Sequence, residues 1–444
     1  MRMEPTPPTD APPSILFAIS DTGGGHRSGA QAIDAALQQI SGAATRRHIV
    51  DILANTNIPL VRDAPNLYDS LSTRWLPLYD QMFRATNGKR RMDVLTHVVY
   101  LGAHRSIVRV LEATRPTLVV SVHPLLNRML GNARRAYRLN FRLISVVTDL
   151  VSLHAAWADP SLELTMVPTD EAYERMLNFG VEPAKLLKTG FPVHPKFTTL
   201  DLAPIEMRAR LGLPTAPFTI LLTAGGVGSG NLRDMVLELT KHYPDMQLLV
   251  VTGKNSALRD ELTQMQLGAM VHLYGFVSNM EQLMAAANII ITKAGPGTLM
   301  EALVMRRPVI VTQAVGEQEQ GNIDFVLNHE LGAFCPTADR IVPAVAELIK
   351  PDVYQSTAAR LRNAVARDGA VQIAQTLLDQ LELAPPKRRF QQLLSSFSSL
   401  QRFGARRLPI GPAPRIGQRM RASLRRPAEG SRRFARWRRT RRER

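Results

Sequence analysis

Among its 444 residues the chain has one cysteine, Cys335. A single thiol excludes an intramolecular disulfide framework and any Cys-cluster metal site. That scarcity fits a reducing compartment, and Cys335 reads as a small core residue. Long apolar runs are missing as well. The longest, such as "ANIIIT" and "LLVVT", have the length of buried strands and fall far short of the roughly 18–20 residues of a membrane-spanning helix. The opening "MRMEPTPPTDAPPS" lacks the charged, apolar and small-residue regions of a secretory signal. Residues 1–13 read as a disordered, proline-rich lead-in. No Asp-x-Asp, no H-E-x-x-H and no other metal-ligand spacing occurs, so no metal is expected at a reaction centre.

What is present in excess is positive charge, and it is local. The net charge is +17, yet 19 of the 55 Lys and Arg and only 2 of the 38 Asp and Glu lie in residues 387–444. The rest of the chain is neutral, so the basicity belongs to a tail and not to a fold. With 45% hydrophobic and 21% charged residues, the remainder has an ordinary globular balance and enough length for two or three domains.

Short apolar runs alternate with helical patterns. "SILFAIS" (14–20) stops at Asp-Thr-Gly, and "GAQAIDAALQQI" (29–40) then carries apolar residues at helical spacing. "TLVVSVHP" (117–124), "RLISVVTDL" (142–150) and "LTMVPT" (164–169) continue the series. After a proline-rich stretch, 195–217, that reads as a linker, it restarts with "FTILLTAGG" (218–226), "MQLLVVTG" (246–253), "AMVHLYGF" (269–276), "NIIITKAG" (288–295) and "RPVIVTQ" (307–313), with "AFCPT" (333–337) as a last short strand. This alternation predicts an α/β fold of two doubly wound parallel sheets facing a central cleft, with ligands beyond the carboxyl ends of the strands. Residues 57–110 break the pattern. They read either as a helical insertion or as a surface that meets something amphipathic.

Glycine-rich turns fall at those strand ends. In "DTGGGHRSGAQAI" the spacing Gly24 to Gly29 matches a P-loop, but Ala30-Gln31 stand where Lys-Ser/Thr is required. The dinucleotide fingerprint fails too, because Ser28 occupies its third glycine position. What remains is His26, which reads equally as a proton acceptor or as a helix-capping histidine. Asp149 ends a strand and could orient it or bind substrate, His154 is a weaker candidate, and His123 reads as structural.

In "TKAGPGTLMEAL" (292–303) a strand ends at Lys293 and a helix is expected from about Thr298. The backbone N–H groups of Gly295-Pro296-Gly297-Thr298 suit a phosphate, and Glu301, one turn in, suits the ribose of a nucleotide. The polar loop "GEQEQGN" (316–322) offers Gln318, Glu319 and Asn322. These suit sugar hydroxyls, although polar loops are common.

Taken in order, "DTGGGHRSGAQAI", "SVHPL", "VVTDL", "TGFPV", "GFVSNM", "TKAGPGTLMEAL" and "GEQEQGN" resemble the monogalactosyldiacylglycerol synthases and the bacterial processive diacylglycerol glucosyltransferases, members of glycosyltransferase family 28 with MurG as a distant cousin. The resemblance covers roughly residues 14 to 385. It implies a GT-B fold with an acceptor and membrane-binding half (14–195), a UDP-sugar-binding half (196–385) whose last helix can return to the first, and a disordered basic tail (386–444). It also implies inverting transfer of a hexose from a UDP-sugar to the 3-hydroxyl of 1,2-diacylglycerol, with no cofactor at the reaction centre. Galactose is favoured as the sugar. A glucose-dependent enzyme, processive or not, is the alternative, and a MurG-type N-acetylglucosamine transferase or an epimerase a more distant one.

Carried over by the resemblance, His26 is the base and Asp149 its support, and Gly24 and Gly25 make room for the lipid hydroxyl. Gly295, Pro296, Gly297 and Thr298 meet the diphosphate, Glu301 the ribose, and Gln318, Glu319 and Asn322 the sugar. Phe276 and Val277 line the uracil, and the second glycine turn, with Gly225, Gly226 and Ser229, adds donor contacts although it departs from the family pattern. Trp75, Tyr79 and Phe83 are expected at the membrane interface. The architecture of sugar transferases that holds a divalent ion generally does so with Asp-x-Asp; here a helix start would take that role. The tail, which includes "SRRFARWRRTRRER", suits an anionic membrane surface better than nucleic acid, given a lipid acceptor. A peripheral protein on the cytoplasmic face of a membrane is the resulting expectation.

Overall fold

The structure is a computed structural model that describes residues 12–21, 25–54, 81, 84, 87, 89–200, 202–223, 231–314 and 316–382. The strands among them form two six-stranded, all-parallel sheets. The first holds β1 (Ser14–Ile19), β2 (Arg46–Asp51), β3 (Leu118–Ser121), β4 (Arg142–Val146), β5 (Leu164–Val167) and β6 (Leu186–Lys188), in the order β2-β1-β3-β4-β5-β6. The second holds β7 (Thr219–Thr223), β8 (Gln247–Val251), β9 (Val271–Tyr274), β10 (Ile289–Thr292), β11 (Val309–Val311) and β12 (Gly332–Phe334), in the order β12-β11-β10-β7-β8-β9. Strands β1, β7 and β8 are buried along their whole length. That is why they read as unbroken apolar runs: a parallel sheet has helices on both faces.

Those helices are α1 (Gly25–Ser41), α2 (Lys89–Thr114), α3 (Pro124–Ala136) and α4 (Asp170–Asn178) around the first sheet, then α5 (Pro204–Arg210), which precedes the second sheet in the chain. Around the second lie α6 (Leu232–His242), α7 (Ser256–Gln264), α8 (Met280–Ala286), α9 (Pro296–Val304), α10 (Gly316–Asn328), α11 (Ile341–Leu348) and α12 (Pro351–Ala364). The last helix, α13 (Gly369–Glu382), packs on the first sheet, where Ala370, Ile373, Ala374 and Leu377 share a core with β1 and α1. The chain crosses between the sheets at two places that touch. A Cβ on Gly369 would lie 2.4 Å from the Phe191 carbonyl oxygen, and Gly190 has φ +86°. Only glycine fits this close approach. Among the described residues no helix is long and apolar enough to cross a membrane.

The stretch 195–217 is not the plain linker its prolines suggest. It folds into a short 3₁₀ turn, Pro195–Phe197, and α5, with Pro204 at the first helical position. Arg208 of α5 is buried, and its Nη1 donates to Pro217 O (3.0 Å), Thr219 Oγ1 (2.7 Å) and Asn288 Oδ1 (3.0 Å). A guanidinium with three acceptors fixes the segment to the second sheet.

In both sheets the strand order reverses beside the first strand of the half: β1 lies between β2 and β3, and β7 between β8 and β10. Such a switch point opens a crevice at the carboxyl ends of the two central strands. The carboxyl ends of β1, β3, β7 and β10 therefore define where a ligand can sit.

Candidate active site

The turn after β1 leads straight into α1, so His26 sits in the helix's first turn and not in a loop before it. The expected helix start at Gly29 was too late because "GHRS" carries no apolar residue to mark the first turn. Asp21 and Arg27 close the turn from both sides: Arg27 Nε and Nη2 donate to the two carboxylate oxygens of Asp21 at 2.6 and 2.7 Å. Gly25 faces open space, with nothing within 4 Å of the position its Cβ would take. Gly24 lies outside the described residues.

His26 is surrounded by the turns after β3 and β4. Its Nδ1 lies 2.9 Å from Thr148 Oγ1. Its ring meets His123 edge-on at 4.6 Å between centroids, and Trp157 at 6.5 Å. Burial lowers the basicity of His26, while the Asp149 carboxylate and the Val122 carbonyl act in the opposite direction. His123 is pushed well below the ordinary imidazole range by burial and by its two histidine neighbours. Burial takes His154 down to about 4. All three are therefore neutral near pH 7. His123 also caps α3 and His154 the 3₁₀ turn Ala155–Trp157, accepting from Leu125 N (3.3 Å) and Ala156 N (3.1 Å). His123 is thus a helix cap, as its setting in "SVHP" suggested, but one packed against His26.

Asp149 is buried, and both its oxygens serve neighbours other than His26. Oδ2 accepts from Trp157 Nε1 at 2.7 Å, and Oδ1 accepts from Gln318 Nε2 at 3.0 Å. Asp149 favours the protonated ring through its charge, and the hydrogen-bond partner of His26 Nδ1 is Thr148.

In the second sheet the turn after β10 is a helix start. Helix α9 begins at Pro296, two residues before the position expected from sequence, with Gly295 as its N-cap. Proline at the first helical position has no N–H, which leaves the N–H groups of Gly297 and Thr298 directed out of the helix start. Here α9 faces α1: a Cβ on Gly297 would lie 3.7 Å from Ser28 Oγ. Lys293 Nζ is 3.5 Å from Glu319 Oε1, beside Gly295.

Between the sheets lies a cavity of 340 Å³, of the size of a nucleoside-scale ligand site. Phe276, Val277, Ser278, Thr223 and Gly253 line one side of it, Gly297, Thr298 and Glu301 another, and Ser28 and Gln31 of α1 reach it from the first half. Phe276 is 72% exposed, an unusual setting for a phenyl ring. Burial raises the Glu301 carboxyl to about 7, with Lys196 opposing and Glu281 adding to the shift. Lys196, from the turn after "FPVH", is 2.8 Å from Glu281 Oε2 and donates to Ser278 O at 3.3 Å.

The polar segment 316–322 is not a loop. It forms the first turns of α10. Gln318 reaches across the cleft to Asp149. Glu319 and Asn322 are buried, and Asn322 Nδ2 donates to Ala294 O at 2.7 Å, bracing the α9 turn. The bond takes one N–H of the Asn322 amide, so the side chain expected at the sugar also braces the turn. Gly321 lets α10 approach the first half, since a Cβ there would lie 2.6 Å from Ser152 Oγ.

The cleft thus assembles His26, Asp149, Gln318, Glu301 and the 295–298 turn. Sequence reading missed Thr148, Trp157, Arg27, Ser28, Gln31 and Lys196. Only Thr148 and Arg27 carried a local signal, as the immediate neighbours of Asp149 and His26. Gly225, Gly226, Ser229, Trp75, Tyr79 and Phe83 lie outside the described residues, as does the basic tail beyond residue 382.

Comparison with known proteins fits this geometry. The family model "Monogalactosyldiacylglycerol (MGDG) synthase" matches residues 26–193, and "Glycosyltransferase family 28 C-terminal domain" matches 219–341. The chain is 30% identical over 349 residues to monogalactosyldiacylglycerol synthase 3 of Arabidopsis thaliana, covering 75% of this chain and 74% of that protein. The chain belongs to the monogalactosyldiacylglycerol synthase family. It is also 29% identical over 353 residues to the synthase of Spinacia oleracea, covering 77% of this chain and 67% of that protein. The chain thus spans about two thirds to three quarters of the length of these curated relatives.

Among solved structures it is similar to Acinetobacter baumannii MurG (TM-score 0.54, 13% identity, 83% of this chain and 100% of that one). A second is the Neisseria meningitidis UDP-GlcNAc 2-epimerase bound to UDP-GlcNAc (TM-score 0.53, 18% identity, 83% and 99%). At such identities the likeness establishes the fold, a GT-B arrangement, and leaves the reaction to the site.

Proposed function

We propose that this member of the family transfers a hexose from a UDP-sugar to the 3-hydroxyl of 1,2-diacylglycerol, with inversion to a β-glycoside. The observation that carries the reading is the pairing across one cleft of a neutral histidine on α1 with the glycine-rich start of α9. The N-terminal family match supports diacylglycerol as the acceptor, because that model is described as monogalactosyldiacylglycerol synthase. The relatives' names favour galactose over glucose as the sugar.

In this reading the uracil stacks near Phe276 and Val277, the ribose meets Glu301, and the N–H groups of Gly297 and Thr298 bind the diphosphate. Gln318, Glu319 and Asn322 hold the sugar. His26 takes the proton of the acceptor hydroxyl as its oxygen attacks the anomeric carbon. The bond from that carbon to the UDP oxygen breaks, and the electron pair leaves on the diphosphate. The α9 dipole stabilises that developing charge. We assign the leaving-group role to the helix start. Membrane association belongs to the same proposal: the acceptor is a lipid, and the polybasic tail has the composition to meet an anionic surface.

The test is turnover of radiolabelled UDP-galactose and UDP-glucose on diacylglycerol vesicles, with anomeric configuration read by NMR. A β-galactolipid is expected. Replacing His26 by Ala should lower the rate by about 10²–10⁴-fold. No lipid product from either donor, or full activity of His26→Ala, defeats the proposal.

A further inference from the structure

The residue that aims a catalytic histidine decides which ring nitrogen keeps its lone pair. The carboxylate next to His26 is already occupied by Trp157 and Gln318. Its sequence neighbour Thr148 stands 2.9 Å from His26 Nδ1. Thr148 is 2% exposed, and its methyl is set against α1: a Cβ on Gly29 would lie 3.2 Å from Thr148 Cγ2. A β-branched side chain held by its methyl has little choice of χ1, so its hydroxyl is fixed toward the ring.

The geometry points to Thr148 as the positioning residue of the base, and to Asp149 as the joint that ties the base's surroundings to the donor-side helix. In this assignment Nδ1–H donates to Thr148 Oγ1, a proton for which the Val122 carbonyl competes, and Nε2 keeps its lone pair for the acceptor hydroxyl. Asp149 links Trp157, whose ring lies beside His26, to Gln318 on α10. Seating of the donor-side helix is thereby coupled to the setting of the base across two contacts. The Asp149 charge also favours the protonated ring, which adds a long-range effect to the joint. The assignment rests on His26 acting as the base.

The test uses the full chain, diacylglycerol vesicles and UDP-galactose or UDP-glucose, whichever turns over. Thr148→Val keeps the shape and removes the hydroxyl. It is expected to lower kcat by about 10–100-fold with donor KM within about twofold, and Thr148→Ser is expected to restore kcat to within about threefold. Asp149→Asn leaves one acceptor oxygen where two served, so the side chain cannot accept from both Trp157 Nε1 and Gln318 Nε2. It is expected to raise donor KM and to move the acid limb of the kcat/KM profile to lower pH, since a charge that favours the imidazolium is gone.

Wild-type kcat in Thr148→Val, with His26→Ala inactive, overturns the assignment of Thr148 and leaves the base reading intact. Equal losses in the Ser and Val variants overturn it too, because they mark a packing role. If Asp149→Asn lowers kcat alone with donor KM unchanged, Asp149 acts on the base directly and the joint is refuted. Full activity of His26→Ala removes the base itself, an outcome distinct from the other three.

Discussion

Gly321→Ala is expected to separate the assembly of the cleft from the stability of the fold. The added Cβ would lie 2.6 Å from Ser152 Oγ, 2.8 Å from Val151 Cβ and 3.0 Å from Ser152 N. Ordinary contacts are about 3.5–4.0 Å, so α10 must withdraw from the first half by roughly 1 Å. The Gln318–Asp149 hydrogen bond, 3.0 Å long, then opens to about 4 Å and is lost. Overpacking of this kind costs about 1–3 kcal/mol. Falling on the closed cleft, that cost raises donor KM by about 5–150-fold, at 1.4 kcal/mol per factor of ten.

Helix propensity works the other way, because alanine within a helix is better than glycine by about 1 kcal/mol. The melting temperature should hold or fall by less than the overpacking cost alone implies, while donor affinity falls. Steady-state kinetics against UDP-sugar and a thermal melt of the same preparation read both. Unchanged donor KM and kcat refute the reasoning, and a lowered Tm with unchanged kinetics shows that the clash relaxes within the fold instead.

Gly25→Ala meets no atom of the described residues within 4 Å beyond its chain neighbours and its own helix, so Tm should be unchanged. The methyl enters space beside His26, however, and acceptor KM should rise in vesicle assays of varied diacylglycerol content. Glu301 holds its proton up to about 7 in the folded chain against an ordinary value of 4.5, so stability should fall as pH rises between those values and level off above. Thermal unfolding across about pH 5 to 8 checks this, and Glu301→Gln should flatten the slope. Arg208→Ala removes a donor shared by Pro217, Thr219 and Asn288. It should destabilise by about 1–3 kcal/mol in urea unfolding and leave kcat near wild type at 25 °C.

The sequence by itself determined the two parallel sheets and much of the site. Buried strands such as Thr219–Thr223 and Ile289–Thr292 are apolar on both faces, so they are legible one residue at a time. His26 and Glu301 could be found because each lies within a few residues of a strand end and a glycine turn. Tertiary structure decided the rest. The polar run 316–322 has no apolar period to announce a helix. Its helical form goes with the packing of Gly321 against residues 151 and 152 and the bond from Asn322 to Ala294. The segment around Arg208 reads as a linker until its three acceptors are in place. His26 meets Thr148 across 122 positions, and Gln318 meets Asp149 across 169. Local pattern specifies which residues stand at the ends of strands. Which of them touch depends on how the strand order reverses in each sheet and how the two sheets close on each other, and no periodicity in the chain records that.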